Sequence, residues 1–125
     1  MSIRDIIVII LGELEDTMVS LDRVFDLLGK RRRRYALYYL EQQEGPVTVD
    51  EVTEQVAEWE TDQASVSIPE EKFDRIEVEL LHTDLPKVSE AEYIRYDSEA
   101  GTVELTEAPP KFDAILSVAK IIERP

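Results

Sequence analysis

The sequence predicts a mainly α domain that closes with a two-stranded β-hairpin and a last helix. Two observations carry this. Apolar residues recur every three or four positions through residues 3–88, the spacing of helix faces. The period then changes to strand-like alternation over residues 93–105 and returns to helical spacing from residue 111. A chain of 125 residues is one domain's worth. It can bury roughly two-thirds of its unfolded surface without covalent staples.

The elements follow in order. Ser2 caps a first helix, with Asp5 at the return position of a capping box. Ile3, Ile7, Ile10, Leu14 and Met18 form one face of it, and Ile6 and Ile9 widen that face. Ser20 caps a second helix, Leu21–Leu28, in which Leu21, Val24, Phe25 and Leu28 share a side and Gly29 allows a stop. A third helix runs from about Lys30 to Gln43 over Tyr35, Leu37, Tyr38 and Leu40, until Glu44-Gly45-Pro46 breaks the pattern. Thr48 and Glu51 make a second capping box, opening a helix with Val49, Val52, Val56 and Trp59 on one side.

Residues 61–67 are polar and read as a loop. A new helix starts near Pro69, a residue suited to a first turn, and runs through Phe73, Ile76, Leu80 and Leu81 to about Val88. Pro86 is expected to bend or end it, having no N–H to donate. Residues 93–96 and 102–105 are the two strands, joined by the five-residue loop Asp97–Gly101. After Pro109-Pro110, a final helix over residues 111–123 carries Phe112, Ile115, Leu116, Ala119 and Ile122 on one side. Three helices followed directly by a hairpin is the winged helix-turn-helix order, here with extra N- and C-terminal helices. The expected division is a dimerisation helix over 1–19, a winged helix-turn-helix domain over 20–107, and a second dimerisation helix over 108–125.

The charge is extreme: 14 Lys and Arg against 28 Asp and Glu, a formal −14. A surface of that sign repels phosphate, which opposes nucleic-acid binding in ordinary salt. Yet 43% of residues are hydrophobic, so the chain is foldable and not merely acidic. Self-repulsion would be severe in dilute buffer and nearly gone at about 1 M salt, where the screening length is ~3 Å. An acidic globule with nine Arg against five Lys resembles the proteins of salt-in haloarchaea. The alternative is an ordinary acidic partner protein.

The absence of cysteine excludes disulfides, thiolate metal sites and cysteine nucleophiles. The apolar run at residues 6–11 is far shorter than the ~20 residues a membrane span needs. No basic start or small-residue cleavage site suggests a signal peptide. The expectation is a cytoplasmic protein. No Gly-rich phosphate loop, metal-spaced His pair or nucleophile motif is present, and the abundant acids carry no information about catalysis. The chain therefore reads as not an enzyme, with no cofactor and no metal.

Three segments carry a family resemblance. One is Leu21-Asp22-Arg23-Val24-Phe25-Asp26-Leu27-Leu28 followed by Arg31-Arg32-Arg33-Arg34. The second is Gly45-Pro46-Val47 leading to Val56-Ala57-Glu58-Trp59-Glu60. The third is Leu81-His82-Thr83-Asp84-Leu85-Pro86-Lys87 leading to Tyr96-Asp97 and Gly101-Thr102-Val103. Over residues 21–106 the chain resembles a haloarchaeal winged helix-turn-helix domain family without a functional name, more distantly similar to ArsR-type repressors. The resemblance implies double-stranded DNA as partner, transcription control, and a homodimer. Two departures stand out. Asp84 takes the place where that family often has a second histidine, and the loop Glu60–Ser67 is longer than the usual three or four residues. That length implies looser coupling of the two flanking helices.

The reading helix should be Glu70–Thr83. Lys72, Arg75, Glu79 and His82 recur at helical spacing opposite Phe73, Ile76 and Leu80. Arg75 is the base-reading candidate, because a guanidinium contacts guanine bidentately, and Lys72 suits a phosphate. The competing reading has both neutralised by Glu71, Asp74 and Glu79. Lys87 adds a further cation, and Arg95 on the hairpin would meet the flank of the duplex. Arg31 and Arg34, in the densest positive run, could hold phosphates or instead pair with Asp22, Asp26 or Glu41. Residues 70–99 hold four bases and ten acids, a net −6 that favours the alternative of a winged protein–protein module. His82, the only histidine, reads as an ordinary helix-end residue. Ile3, Ile7, Ile10, Leu14, Phe112, Ile115, Leu116 and Ile122 are the expected dimer residues, on the argument that residues 21–105 already close a core without them.

Overall fold

The computed structural model describes residues 2–7 and 20–125. Residues 3–7 are helical, and the Ser2–Asp5 capping box opens them: the Asp5 amide donates to Ser2 Oγ and the Ser2 amide to the Asp5 carboxylate. Ile10 and Leu14 lie outside the described residues. The rest is mainly helical with one small sheet. Its elements are α1 (Leu21–Leu28), α2 (Arg31–Gln42), β1 (Val47–Thr48), α3 (Val49–Thr61), α4 (Glu70–Glu79), α5 (Leu85–Glu90), β2 (Ile94–Asp97), β3 (Thr102–Leu105) and α6 (Pro110–Glu123). A 3₁₀ turn over Ser65–Ser67 precedes α4, and a π-helical turn over Leu80–Asp84 joins α4 to α5. None of the described helices is long and apolar enough to cross a membrane.

Local chemistry sets the boundaries. Ser20 Oγ accepts from the Arg23 amide at the start of α1. The Thr48–Glu51 capping box starts α3, each side chain accepting from the other residue's amide at 3.1 Å. Asp62 ends α3 in the left-handed region, φ 54°, which aspartate tolerates better than most residues.

The sheet has three strands where the sequence suggested two. β1 and β2 both pair antiparallel with β3, giving the order β1-β3-β2. β1 is two residues long, with Val47 opposite Val103 and Thr48 opposite Thr102, too short for any sequence period to show. The hairpin turn is closed by Asp97, whose carboxylate accepts from the amides of Glu99 and Ala100. Gly101, at φ +66°, completes it in a conformation that side chains rarely adopt. Its carbonyl accepts from the Val49 amide, which fastens the hairpin tip to the start of α3.

Pro86 does not end its helix. The Leu85 amide reaches back five residues to the Leu80 carbonyl, so the turn before the proline is widened to π geometry and the chain continues helical to Glu90. Widening makes room where the pyrrolidine ring would meet the carbonyl four residues back.

The core gathers Val24, Leu27, Leu37, Tyr38, Val52, Val56, Ile76, Leu80, Val88 and Val103, all almost wholly buried. It also contains Phe112 and Leu116, each at 0% exposure, with the Phe112 and Tyr93 ring centroids 4.7 Å apart. Helix α6 packs on α1 and α2. This corrects the expected division of the chain: residues 21–105 do not close the core alone, because α6 supplies two of its largest side chains. Phe112 and Leu116 are therefore unavailable to a second subunit. The loop before α4 is likewise better anchored than its length implied, since Ile68 is buried and Ser65 Oγ donates to the Glu54 carboxylate at 2.8 Å.

Candidate functional site

The exposed side of α4 is where the expected reading stripe falls. Arg75 and His82 are exposed and Lys72 is half-buried. The fourth member, Glu79, turns toward α2 instead. It accepts from Lys30 Nζ and, at 2.5 Å, from Arg32 Nη1, and the Lys30 hydrogen bond first of all holds its carboxyl below the ordinary glutamate range. Glu79 is thus a structural anion, corrected from its expected place on the contact stripe.

The other expected cations are mostly engaged. Arg34 is bound by Glu123 through both Nε (2.6 Å) and Nη2 (3.0 Å), and its Nη1 donates to the Leu28 carbonyl. Its partner was a carboxylate 89 positions away, not one of the near acids the sequence offered. Lys87 pairs with Asp26 at 2.9 Å. Arg95 reaches across the hairpin to Glu104, its register partner, at 3.1 Å. Arg31 is exposed, with its guanidinium 5.7 Å from the Tyr35 ring centroid. Arg34 is corrected as a phosphate contact: the forked pair with Glu123 already neutralises its guanidinium and fixes its direction.

Sequence reasoning missed the network beneath the stripe. Arg33 and Asp84 are buried, at 6% and 0% exposure, and their side chains meet at 3.3 Å. Arg33 Nε also donates to the Leu27 carbonyl (2.5 Å) and Nη2 to the Asp26 carbonyl (2.9 Å). Lys30 completes the pocket around Asp84 at 3.2 Å. Burial pushes the Asp84 carboxyl above its ordinary range, against the pull of Lys30 and Arg33. Arg32 bridges to α3 through a two-pronged pair with Glu60, at 2.7 and 2.8 Å. Three helices and the π turn are thereby tied at one joint. Partners separated by 28 to 54 positions leave no local signal, so only the run of basic residues at 30–34 hinted at it.

Asp84, standing where a second histidine was expected, is an ion-pair partner in the interior. Among the described residues no three His, Cys, Asp or Glu side chains lie close enough to hold a metal ion. On the terminal segments, Ile3 (77%), Ile7 (49%) and Ile122 (74%) are exposed, and Ile115 is half-buried. Ile121, Val118, Phe25 and Leu21 are also exposed, so α1 and α6 both show apolar side chains to solvent.

No curated protein and no solved structure matches the chain. A family described as a domain of unknown function, DUF7344, matches residues 25–104, from α1 to the end of the hairpin. That is well over half of the sequence, so the chain belongs to the DUF7344 family.

Proposed function

We propose that this protein is a winged helix-turn-helix transcription regulator that binds double-stranded DNA as a homodimer in a salt-rich archaeal cytoplasm. One observation carries the reading. The order α2-β1-α3-α4-α5 followed by β2-β3, with β1 and β2 flanking β3, supports a winged domain, and Arg75 on α4 and His82 in the π turn after it are both exposed. In this reading α4 lies in the major groove and the β2–β3 hairpin touches the flank. Exposed Ile121 and Ile122 on α6, with Ile3 and Ile7, supply apolar area for a two-fold contact.

The test is selection of random duplexes for binding in about 2 M KCl, where long-range repulsion is screened. Enrichment of a site with two half-sites about one helical turn apart supports the reading. Arg75→Ala should then weaken the selected site by about 10- to 100-fold, the worth of one bidentate base contact. No enrichment by the wild-type chain overturns it.

A second reading, a winged module that binds protein and not DNA, is favoured by a specific observation. Arg34, Lys87 and Arg95 each pair with an acid of the chain itself, leaving the surface around α4 dominated by carboxylates.

A further inference from the structure

Three cavities run together along one flank of α4. The first, about 380 Å³, lies among Asp50, Thr53, Glu54, Val66, Phe73 and Glu77. The second, about 260 Å³, shares Asp50 and Glu77 with it and extends past Leu81 to Tyr96 and Gly101. The third, about 360 Å³, shares Leu81 and Tyr96 with the second and reaches Leu85, Ser89 and Glu90. Because neighbours share wall residues, the three lie in a row, a stepped groove between α4–α5 on one side and α3 with the hairpin on the other.

The groove has an apolar bed and acidic edges. Phe73, Glu77, Leu81 and Leu85 recur every four residues, so they share one side of the helix. Val66 stands at its far end at 94% exposure, and Tyr96 is 41% exposed at its middle. Every charged residue lining it is an acid: Asp50, Glu54, Glu77 and Glu90. Asp50 and Glu77 line the first two cavities together, two carboxyls facing one space. Burial first, then Asp50, keeps the Glu77 carboxyl above its ordinary range.

The geometry points to this groove as the docking site for a basic amphipathic segment of a partner protein, its apolar side chains on Phe73, Leu81 and Tyr96 and its Lys or Arg on the acids. Charge complementarity and the continuous apolar bed together select that occupant over a nucleic acid, which the acids repel, or an acidic or wholly polar chain. The groove lies on a different side of α4 from Arg75 and His82, so it does not depend on whether that stripe meets DNA.

The test uses the full chain at a salt concentration where circular dichroism shows it folded. A fluorescent lysine–leucine amphipathic peptide is titrated by anisotropy, alongside a lysine–serine peptide of equal charge and a glutamate–leucine peptide. The lysine–leucine peptide should bind at least about tenfold tighter than either control. Glu77→Lys and, at the exposed edge, Glu54→Lys should each weaken it by about tenfold or more, while Glu107→Lys, outside the groove, should change it less than about twofold. Equal binding of the lysine–serine peptide, or an equal loss with Glu107→Lys, would show only the attraction of a chain with net charge −14 and overturn the proposal. So would a change in oligomeric state on Glu54→Lys, which would assign the groove to a second copy of this chain. A DNA selection run in parallel separates these outcomes from failure of the DNA reading.

Discussion

Asp84→Asn removes one charge from the interior while keeping the shape of the side chain. Asp84 is fully buried and Arg33 nearly so, which leaves the guanidinium without its carboxylate and out of water. Breaking such a pair from one side costs about 3–5 kcal/mol. Arg33 keeps its bonds to the Leu27 and Asp26 carbonyls, and Lys30, a third exposed, regains water, so the lower end, about 3 kcal/mol, is expected. For a chain of 125 residues that lowers Tm by roughly 10–15 °C. Denaturant unfolding followed by Trp59 fluorescence measures it, since that ring stacks edge-on against Tyr35 with centroids 5.8 Å apart. Two controls sharpen the reasoning. Arg33→Met with Asp84→Leu should recover part of the loss, because an apolar pair of similar volume needs no desolvation, though the Leu27 and Asp26 carbonyls lose the Arg33 donors. The loss from Asp84→Asn should also be nearly the same in 0.5 and 3 M KCl, roughly independent of screening because the pair is buried. An Asn variant as stable as wild type, or a double variant worse than the single one, would refute the argument.

Four further outcomes are expected. Phe112→Ala should destabilise the subunit by about 3–5 kcal/mol, whereas Ile122→Ala, at 74% exposure, should leave unfolding of the subunit almost unchanged and shift light scattering toward monomer. Thermal stability should rise steeply with KCl, because the −14 charge repels itself over about 10 Å at 0.1 M salt and only ~3 Å at 1 M; equal Tm values in dilute and molar KCl would remove the salt-adaptation argument. Acid should destabilise the fold through Glu123, whose carboxyl is held below its ordinary range chiefly by the Arg34 hydrogen bond. A depressed carboxyl adds stability above its unfolded value and loses it as pH falls through the folded one, so Glu123→Gln should be less stable than wild type at neutral pH and the gap should close as pH drops below the ordinary glutamate range.

Helix starts were legible because capping is local: Ser2, Ser20 and Thr48 each cap within three residues, where a sequence can be read directly. The core of α2 and α3 was legible from spacing. β1 was not, since two residues have no period. Pro86 was expected to bend or end a helix reaching about Val88; which of the two it does was not legible, because its accommodation depends on widening the turn upstream. The exposed part of the candidate stripe, Arg75 and His82, followed from helical spacing. The fate of Arg34 and Glu79 did not, because their partners lie 89 and about 50 positions away in the chain. Phe112 and Leu116 were assigned to an interface because periodicity shows that a face is apolar and says nothing of what covers it.

The arginines that follow Gly29 also decide when α1 can exist. Its last carbonyls, at Asp26, Leu27 and Leu28, accept from the guanidiniums of Arg33 and Arg34, and its own last turn carries no basic residue. An eight-residue helix is too short to persist alone in water. Its C-terminal end is thus completed by side chains presented only once α2 has wound and turned them back. Arg33 in turn is held in place by Asp84, more than fifty residues downstream. α1 precedes both α2 and the π turn in the chain, so its C-terminal end is completed only when those later segments are in place.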